Sequence, residues 1–187
     1  MTISASGESN NYNCGVYNVL SSPTLRDVTV SVSGGTRSYG VYNASSSPQT
    51  QNVTISVSGG GTSYNYGVYN ARSSPALRDV TVSASGGARS YGVYNDSSSL
   101  TVQNTIVSAE GGSSNYGVYN FAASGVYSVQ INHSQVTGSS YTIYNDSEFT
   151  TRVGASWLNG GAVTGSGTVT CAGVYDEHYT FYAATCP

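Results

Sequence analysis

The chain has 187 residues, which suits a single domain or a short repeat array. Only 8% of the residues are charged, against about a quarter in ordinary globular proteins. The formal net charge is −3 and lysine is absent, so the chain lacks the basic face that nucleic-acid binding needs. No apolar run approaches the roughly 18 residues of a membrane-spanning helix. The composition therefore predicts no nucleic-acid partner and no membrane span.

The tetrapeptide Gly-Val-Tyr-Asn recurs along the chain at a nearly constant interval. It begins at Gly15, Gly40, Gly67, Gly92 and Gly117, and a variant, Thr-Ile-Tyr-Asn, begins at Thr142. Successive blocks are 25 residues apart except for one interval of 27, and we expect the two extra residues in the turn-like stretch from Gly61 to Asn65. A fixed period of this length indicates a stacked repeat architecture.

Each unit contains the same predicted elements in the same order. In the first full unit, Ser-Ser-Pro at residues 21–23 leads into a short strand that ends near Leu25. A second strand follows from Val28 to Val32, where apolar and polar residues alternate with the period of two that is typical of β-structure. A Gly-Gly pair supplies the positive φ angles of a corner, and the Gly-Val-Tyr-Asn segment forms a third strand. No segment has helical periodicity.

Three short strands and three corners in about 25 residues predict one coil of a parallel β-solenoid. In such a fold each residue stacks on its counterpart in the next coil at about 4.8 Å. We expect a single all-β domain over residues 1–187. Its predicted parts are an incomplete first coil at 1–13, regular coils at 14–145, and a last coil with a C-terminal cap at 146–187.

Alternation assigns the side chains of the third strand to the inside or the outside of the coil. If Val41 faces the core, strict alternation places Tyr39 and Asn43 inside with it and Gly40 and Tyr42 outside. Stacked inward amides can bond from coil to coil, so we predict a structural ladder of Asn18, Asn43, Asn70, Asn95, Asn120 and Asn145. The outward tyrosines form a second column, Tyr17, Tyr42, Tyr69, Tyr94, Tyr119 and Tyr144. We expect this column either to stack on itself or to present a ligand-binding or assembly face.

The corner before the alternating strand changes with a period of two coils. Arg26-Asp27 and Arg78-Asp79 alternate there with Gln51-Asn52 and Gln103-Asn104. Interleaved amides keep like charges apart and can donate to the aspartates, although duplication of a two-coil unit would leave the same pattern.

Two aspartate pairs are candidates for acid–base catalysis. Asp27 and Asp79 lie about 10 Å apart by strand spacing, near the carboxylate separation of inverting glycosidases, and Asp96 and Asp146 form a similar pair. Neither pair has Lys or His at the same coil position, so we predict no catalytic residue. His133 and His178 lack ligand-like spacing, and we predict no metal and no cofactor.

Cys171 and Cys186 bracket the non-repetitive tail, and we expect a disulfide between them to pin that tail over the last coil. Cys14 is then left as a buried thiol, since no basic residue lies near it in sequence. Such a pairing favours an extracellular compartment.

The whole chain resembles bacterial right-handed parallel β-helix repeat proteins of the pectate-lyase-like superfamily. The resemblance is carried by the recurring Ser-Ser-Pro-x-Leu-x-Asp/Asn-Val-Thr-Val-Ser and Tyr-Gly-Val-Tyr-Asn blocks, and by the Cys-bracketed tail from Gly167 to Pro187, which is similar to the ending of secreted or surface β-helix proteins. It implies a right-handed β-helix and a secreted or cell-surface location in bacteria. It implies no particular activity, because the superfamily contains lyases, hydrolases, adhesins and tailspikes.

The favoured function is non-enzymatic: an extracellular rod that serves as a spacer, adhesive module or fibre subunit. Residues 2–7 align with residues 54–59, the end of a coil, so the first coil is expected to be uncapped. It would then either continue a longer solenoid or self-associate end to end. The alternative function is a β-helix that binds glycans through the tyrosine column or cleaves them weakly through paired aspartates.

Overall fold

A computed structural model describes residues 1–8, 11–59 and 64–187. This part of the chain is all-β and forms a parallel β-solenoid of about six turns, with coils about 25 residues apart. The predicted insertion near Gly61 falls largely on residues 60–63, outside the described residues. The strands are β1 (Thr2–Gly7), β2 (Tyr12–Val19), β3 (Thr24–Gly34), β4 (Arg37–Ala44), β5 (Gln49–Gly59), β6 (Tyr64–Ala71), β7 (Ala76–Gly86), β8 (Arg89–Asp96), β9 (Leu100–Gln103), β10 (Ile106–Glu110), β11 (Ser114–Phe121), β12 (Tyr127–Asn132), β13 (Gln135–Asn145), β14 (Phe149–Gly154), β15 (Trp157–Gly165), β16 (Thr168–Ala172), β17 (Val174–Tyr175) and β18 (Phe181–Tyr182).

The coils built from β3 to β8 each consist of one long strand and one shorter strand, whereas the coil from β9 to β11 has three separate strands. In the coil built from β3 and β4, the corner between them is formed by Gly34 and Gly35, whose φ angles are 75° and 76°. The long strand β3 bends at Asp27, where φ is 55°. The three predicted strand segments are therefore present, but the first two are joined into one bent strand.

Residues with positive φ stack at this bend in successive coils. We call this set the αL column, and it comprises Asp27, Asn52, Asp79, Asn104, His133 and Ala155. Asn and Asp tolerate the left-handed backbone better than other residues with a side chain, because their short polar groups bond locally. The bend therefore gives a conformational reason for the Asp and Asn residues of the first four coils.

Parallel pairing places equivalent residues of successive coils side by side. Val30 pairs with Ile55, and Ile55 with Val82, and all three side chains are fully buried. Thr29 and Thr54 point to solvent from the same strands. The predicted interior of stacked Val, Ile and Leu residues is confirmed, and it forms one continuous core.

The alternation predicted for the third strand is wrong at Gly40. A Cβ on Gly40 would lie 2.2 Å from Ile55 Cγ2, and Val41 is only 1% exposed, so both residues face the core. The strand bends at this point, which turns Tyr39 outward beside Tyr42, with ring centroids 5.3 Å apart. Tyr39 therefore does not lie inside the coil with Val41 and Asn43. A glycine is needed here because the core leaves no room for a Cβ.

The two ends of the solenoid differ. β17 pairs with β15 on one side and antiparallel with β18 on the other, and Cys171 of β16 is joined to Cys186 by the predicted disulfide. At the other end, β1 pairs with β3 and β2 pairs with β4. Within the described residues, neither β1 nor β2 has a second strand partner.

Asp176 organises the turn between β17 and β18. Its carboxylate accepts hydrogen bonds from the backbone N–H groups of His178 and Thr180, at 2.9 and 2.8 Å, and from the Tyr182 hydroxyl at 3.0 Å. Burial alone would raise the pKa of Asp176, but these hydrogen bonds outweigh it and lower the pKa below its ordinary value. The Trp157 indole N–H donates to the Asp176 carbonyl at 2.6 Å, which fastens the turn to β15.

Candidate functional site

Two ladders of stacked tyrosines cover the outer surface of the shorter strands. The first is the column predicted from sequence: Tyr17, Tyr42, Tyr69, Tyr94, Tyr119 and Tyr144. The second comprises Tyr39, Tyr66, Tyr91, Tyr116 and Tyr141. Successive rings within a ladder are stacked, with centroids 4.7–5.1 Å apart. Rings of the two ladders meet edge to face, as Tyr66 and Tyr69 do at 5.2 Å, and we call both ladders together the tyrosine face.

Stacking covers the ring faces that a sugar would use. Each ring inside the first ladder lies between two others, so only its edge is open to solvent, and in the second ladder Tyr66 and Tyr91 are buried. Tyr17 is 67% exposed, and one of its ring faces has no neighbour among the described residues. The ligand-binding role of the column stays a prediction, and the geometry confines face-on stacking of a sugar to the two end rings, of which Tyr17 is the more exposed.

Burial raises the pKa of tyrosines in the middle of the tyrosine face. Burial, with smaller contributions from Asp96 and Tyr42, raises the pKa of Tyr69 to about 12. Burial and the neighbouring Tyr144 raise the pKa of Tyr119 to about 12. The hydroxyls of Tyr69 and Tyr119 therefore stay protonated at neutral pH and can donate hydrogen bonds.

Arginines line one edge of the tyrosine face. Arg37 lies over the rings of Tyr12 and Tyr64, at 5.7 and 5.9 Å from the guanidinium carbon to the ring centroids, and Arg89 lies 5.7 Å from Tyr64. These side chains belong to one column, in which Tyr and Arg alternate from coil to coil. The two-coil period of the arginines is visible in the sequence, but their stacking on tyrosine was not predicted.

Aspartates line the opposite edge. Asp96 follows the ladder residue Asn95, and its charge is close enough to raise the pKa of Tyr69. Asp146 holds the equivalent position two coils later and likewise affects Tyr119. Arg72 lies at the same edge, where its backbone N–H donates to the Asp96 carbonyl at 2.9 Å and its charge acts on Tyr42. The tyrosine face thus has a basic edge and an edge with two aspartates and one arginine, which we call the acidic edge.

The predicted asparagine ladder is confirmed. Each Nδ2 donates to the Oδ1 of the next coil at 2.7–2.9 Å, through Asn18, Asn43, Asn70, Asn95, Asn120 and Asn145. All six residues are buried. At the last step Asn145 Nδ2 donates instead to the carbonyls of Phe149 and Thr168, both at 2.9 Å. The ladder is therefore directional, and backbone acceptors end it at the C-terminal side.

Amide–carboxylate bonds link the exposed αL column. Asn52 Nδ2 donates to Asp27 Oδ1 at 2.5 Å, and Asn104 Nδ2 donates to Asp79 Oδ1 at 3.3 Å. The alternation of Asp and Asn thus gives each carboxylate a neutral donor from the next coil. Asp27 and Asp79 are the first predicted carboxylate pair, and Asn52 lies in the coil between them.

Charged groups outside this column are mostly isolated. The ion pair found among residues 1–8, 11–59 and 64–187 is that of His178 with Glu177, at 3.8 Å. The second predicted carboxylate pair, Asp96 and Asp146, is separated by the coil that carries Phe121. The same part of the chain contains no group of three or more His, Cys, Asp and Glu side chains that could hold a metal ion.

The N-terminal coil exposes several apolar side chains. Met1 is 78% exposed, Tyr12 69% and Leu20 81%. Cys14 is half-buried in β2, and its thiol donates to the Val16 carbonyl at 3.3 Å. Burial raises the pKa of Cys14 to about 11, so almost none of it is thiolate at neutral pH.

Sequence analysis missed an aromatic groove beside the C-terminal hairpin. The groove has a volume of about 680 Å³, and its wall includes Ile106, Gln135, Trp157 and Tyr175, which lie in register on successive coils. Phe181, which is 56% exposed, closes one end. The corresponding position in earlier coils is threonine, and this change of column composition is the signal that could have located the groove.

Comparison with protein-family models, curated proteins and solved structures finds no match to the chain. In the described part of the chain, no helix has the length and apolar character needed to cross a membrane. The disulfide indicates an oxidising compartment outside the cytoplasm.

Proposed function

We propose that the chain is a non-enzymatic structural rod that acts outside bacterial cells, as a spacer, adhesive module or fibre subunit, and that joins other rods end to end. The disulfide and the resemblance to bacterial surface β-helices support the location. The asparagine ladder, the tyrosine ladders and the apolar core run through successive coils, and such continuity suits a stiff element.

The observation that carries the end-to-end association is the exposed edge of the first coil. β1 and β2 each have one strand partner among the described residues, and the proposed contact pairs their outer edge with a strand of another chain. The same surface bears one ring face of Tyr17 and the exposed side chains of Met1 and Leu20.

The C-terminal end is less open to strand addition. β18 occupies the outer edge of β17, and the disulfide holds Cys186 against β16. The N-terminal coil therefore pairs with the N-terminal coil of another rod. Such an isologous contact closes on itself after two rods, so a fibre built from these rods needs a second contact elsewhere on their surface.

Electron microscopy and analytical ultracentrifugation over a range of concentrations test this association. We expect particles of twice the length of one rod, in equilibrium with single rods. The double variant Ser4→Lys/Leu20→Lys, which places charges on the edge strand β1 and on the corner after β2, should yield single rods. Val126→Lys is the matched control, because Val126 is 91% exposed and lies in the segment between β11 and β12. Single rods from the unmodified chain at every concentration would refute the end-to-end contact.

Carbohydrate binding is a second candidate function, and the aromatic groove is the observation that favours it. Trp157, Tyr175 and Phe181 supply rings, and Asn104 and Gln135 supply amides. Aromatic surface with a few polar groups is the composition of many small-ligand sites.

A glycan array, followed by a reducing-sugar assay on any glycan that binds, tests this second function. Binding that is lost in Phe181→Ala and kept in Phe121→Ala would support the groove, since both residues are exposed phenylalanines. Absence of binding to every glycan would reject this candidate, and release of reducing ends would contradict the non-enzymatic proposal.

A further inference from the structure

The tyrosine face differs from the other surfaces of the rod in its aromatic content. Its two ladders place eleven rings side by side, of which those of the first ladder are exposed or half-buried and Tyr66 and Tyr91 of the second are buried. Large contiguous aromatic surfaces with charged edges are typical of protein–protein contacts. The charges at the basic and acidic edges of this face indicate the charge pattern that a partner must have.

Strand β8 carries a charge of each sign at its two ends. Arg89 begins the strand at the basic edge and Asp96 ends it at the acidic edge, with Tyr91 and Tyr94 between them. The Arg89 guanidinium lies over Tyr64, and within the described residues no carboxylate approaches it within 4.0 Å. The Asp96 carboxylate accepts a hydrogen bond from Ser97 and none from a cation there. Each charge is thus available to an external partner.

We propose that two copies of the chain pair through the tyrosine face with their rods parallel, so that Arg89 of each copy contacts Asp96 of the other. A two-fold axis parallel to the rods brings the basic edge of one copy onto the acidic edge of the other. Since Arg89 and Asp96 belong to the same coil, the axis aligns them without any shift, and two symmetric ion pairs form.

The same charges disfavour an antiparallel pair. A two-fold axis perpendicular to the rods places the basic edges together, where Arg37 and Arg89 of the two copies repel. It leaves Arg89 without a carboxylate and offers an attraction only at the other edges, between Arg72 and Asp96. Charge complementarity therefore selects parallel rods.

A parallel pair shifted by two coils is the competing arrangement. It would place Arg37 against Asp96 and Arg89 against Asp146, but it would leave the tyrosines of two coils on each rod uncovered. In the unshifted pair Arg37 lies opposite Ala44, which is neutral, and the full length of both tyrosine ladders is covered. Apolar overlap thus favours the unshifted pair, and Arg37 distinguishes the two arrangements.

This contact uses the side of the rod, whereas the proposed end-to-end contact uses the first coil. The two are separable by particle shape, since side pairing doubles the width and end pairing doubles the length. The Ser4→Lys/Leu20→Lys variant, which leaves both tyrosine ladders intact, removes the end contact and is the background in which side pairing is measured.

Sedimentation velocity over a range of concentrations tests the side pair in that background. We expect Arg89→Asp alone and Asp96→Arg alone each to weaken the dimer at least about tenfold, because each places like charges together at two symmetric positions. The double reversal Arg89→Asp/Asp96→Arg should restore the dimer. Arg37→Asp is the matched control from the same column and should leave the dimer unchanged.

Circular dichroism establishes that each variant is folded before its sedimentation is compared. A background protein that stays monomeric at every concentration would overturn the proposal, as would a double reversal that is folded but does not recover the dimer. A loss in Arg37→Asp as large as that in Arg89→Asp would overturn the unshifted arrangement.

Discussion

The asparagine ladder and the αL column run along the same solenoid, and in both of them an asparagine amide donates to the neighbouring coil. Asn95 of the ladder is fully buried and bonded on both sides, to Asn70 at 2.8 Å and Asn120 at 2.7 Å. Asn52 of the αL column is exposed and bonds Asp27 at 2.5 Å. Similar hydrogen bonds thus occur in two different environments.

Burial decides what each bond contributes. A buried amide that loses its partner cannot form a replacement hydrogen bond with water, whereas an exposed amide can. The ladder is therefore expected to hold the coils together, and the αL column to satisfy the backbone at a bend. Substitutions that change the same atoms in both columns separate these roles.

The largest effect is expected for Asn95→Asp. The change removes the donor to Asn120 and buries a carboxylate that has no cation nearby, so we expect a loss of about 3 kcal/mol or more in the free energy of unfolding at neutral pH. Burial raises the pKa of the new carboxyl, so stability is lost as pH rises through that pKa and partly returns on acidification. Urea unfolding measures this loss of stability. A loss no larger than that of Asn52→Asp would contradict the different roles of the buried ladder and the exposed αL column.

A smaller effect is expected where one buried bond crosses between coils. Ser73 Oγ accepts from the Ser46 backbone N–H at 3.2 Å and donates within its own coil to the Ala71 carbonyl at 3.0 Å. Ser73→Ala leaves the Ser46 N–H unpaired and should cost about 1–2 kcal/mol in urea unfolding. Ser74→Ala is the adjacent control, since Ser74 is exposed, and it should leave stability nearly unchanged.

The backbone requirement of the αL column is tested by Asn52→Val. At φ 53° a β-branched side chain is strained, so we expect a loss of about 1–2 kcal/mol although the residue is exposed. Asn52→Gly removes the same amide without the strain and should lose much less. Equal losses in the two variants would show that the hydrogen bond, and not the backbone, explains the asparagine.

The smallest effect is expected for Asn52→Asp. The change places three carboxylates on consecutive coils, from Asp27 to Asp79, and should lower the melting temperature at neutral pH by the equivalent of less than about 1 kcal/mol. The repulsion exists only while the carboxylates are charged, so the loss should disappear near pH 4. A melting temperature that matches the unmodified protein at both pH values would remove the electrostatic explanation of the alternation.

The repeat allowed the regular coils to be predicted in detail. The period of 25, the inward valines and the column of asparagines follow from spacing and alternation, because a stacked coil returns each residue to the same environment. The orientation of Tyr39 could not be obtained in this way. Alternation assumes a straight strand, and the bend at Gly40 places two consecutive residues inside.

The aromatic groove was missed for a different reason. Its residues come from coils in which the repeat has decayed, and Ile106, Gln135 and Trp157 share no motif. Their register depends on the lengths of the intervening turns, and these lengths cannot be read from the sequence where the repeat is lost. The charged edges of the tyrosine face were not predicted either. Arg89 and Asp96 are recognised as the two edges of one surface only when Tyr91 and Tyr94 between them are known to point outward.

The sequence by itself determined the coil length, the core columns, the asparagine ladder and the Cys171–Cys186 pair, since each depends on identity at a fixed spacing or on the two cysteines of the tail. The tertiary structure decided which way each strand bends. That choice is made by contacts between coils, where Gly40 has no room for a Cβ and Asp27 adopts a left-handed backbone. The bends then determine which side chains are neighbours on the outer surface. The contacts proposed for this rod use that surface.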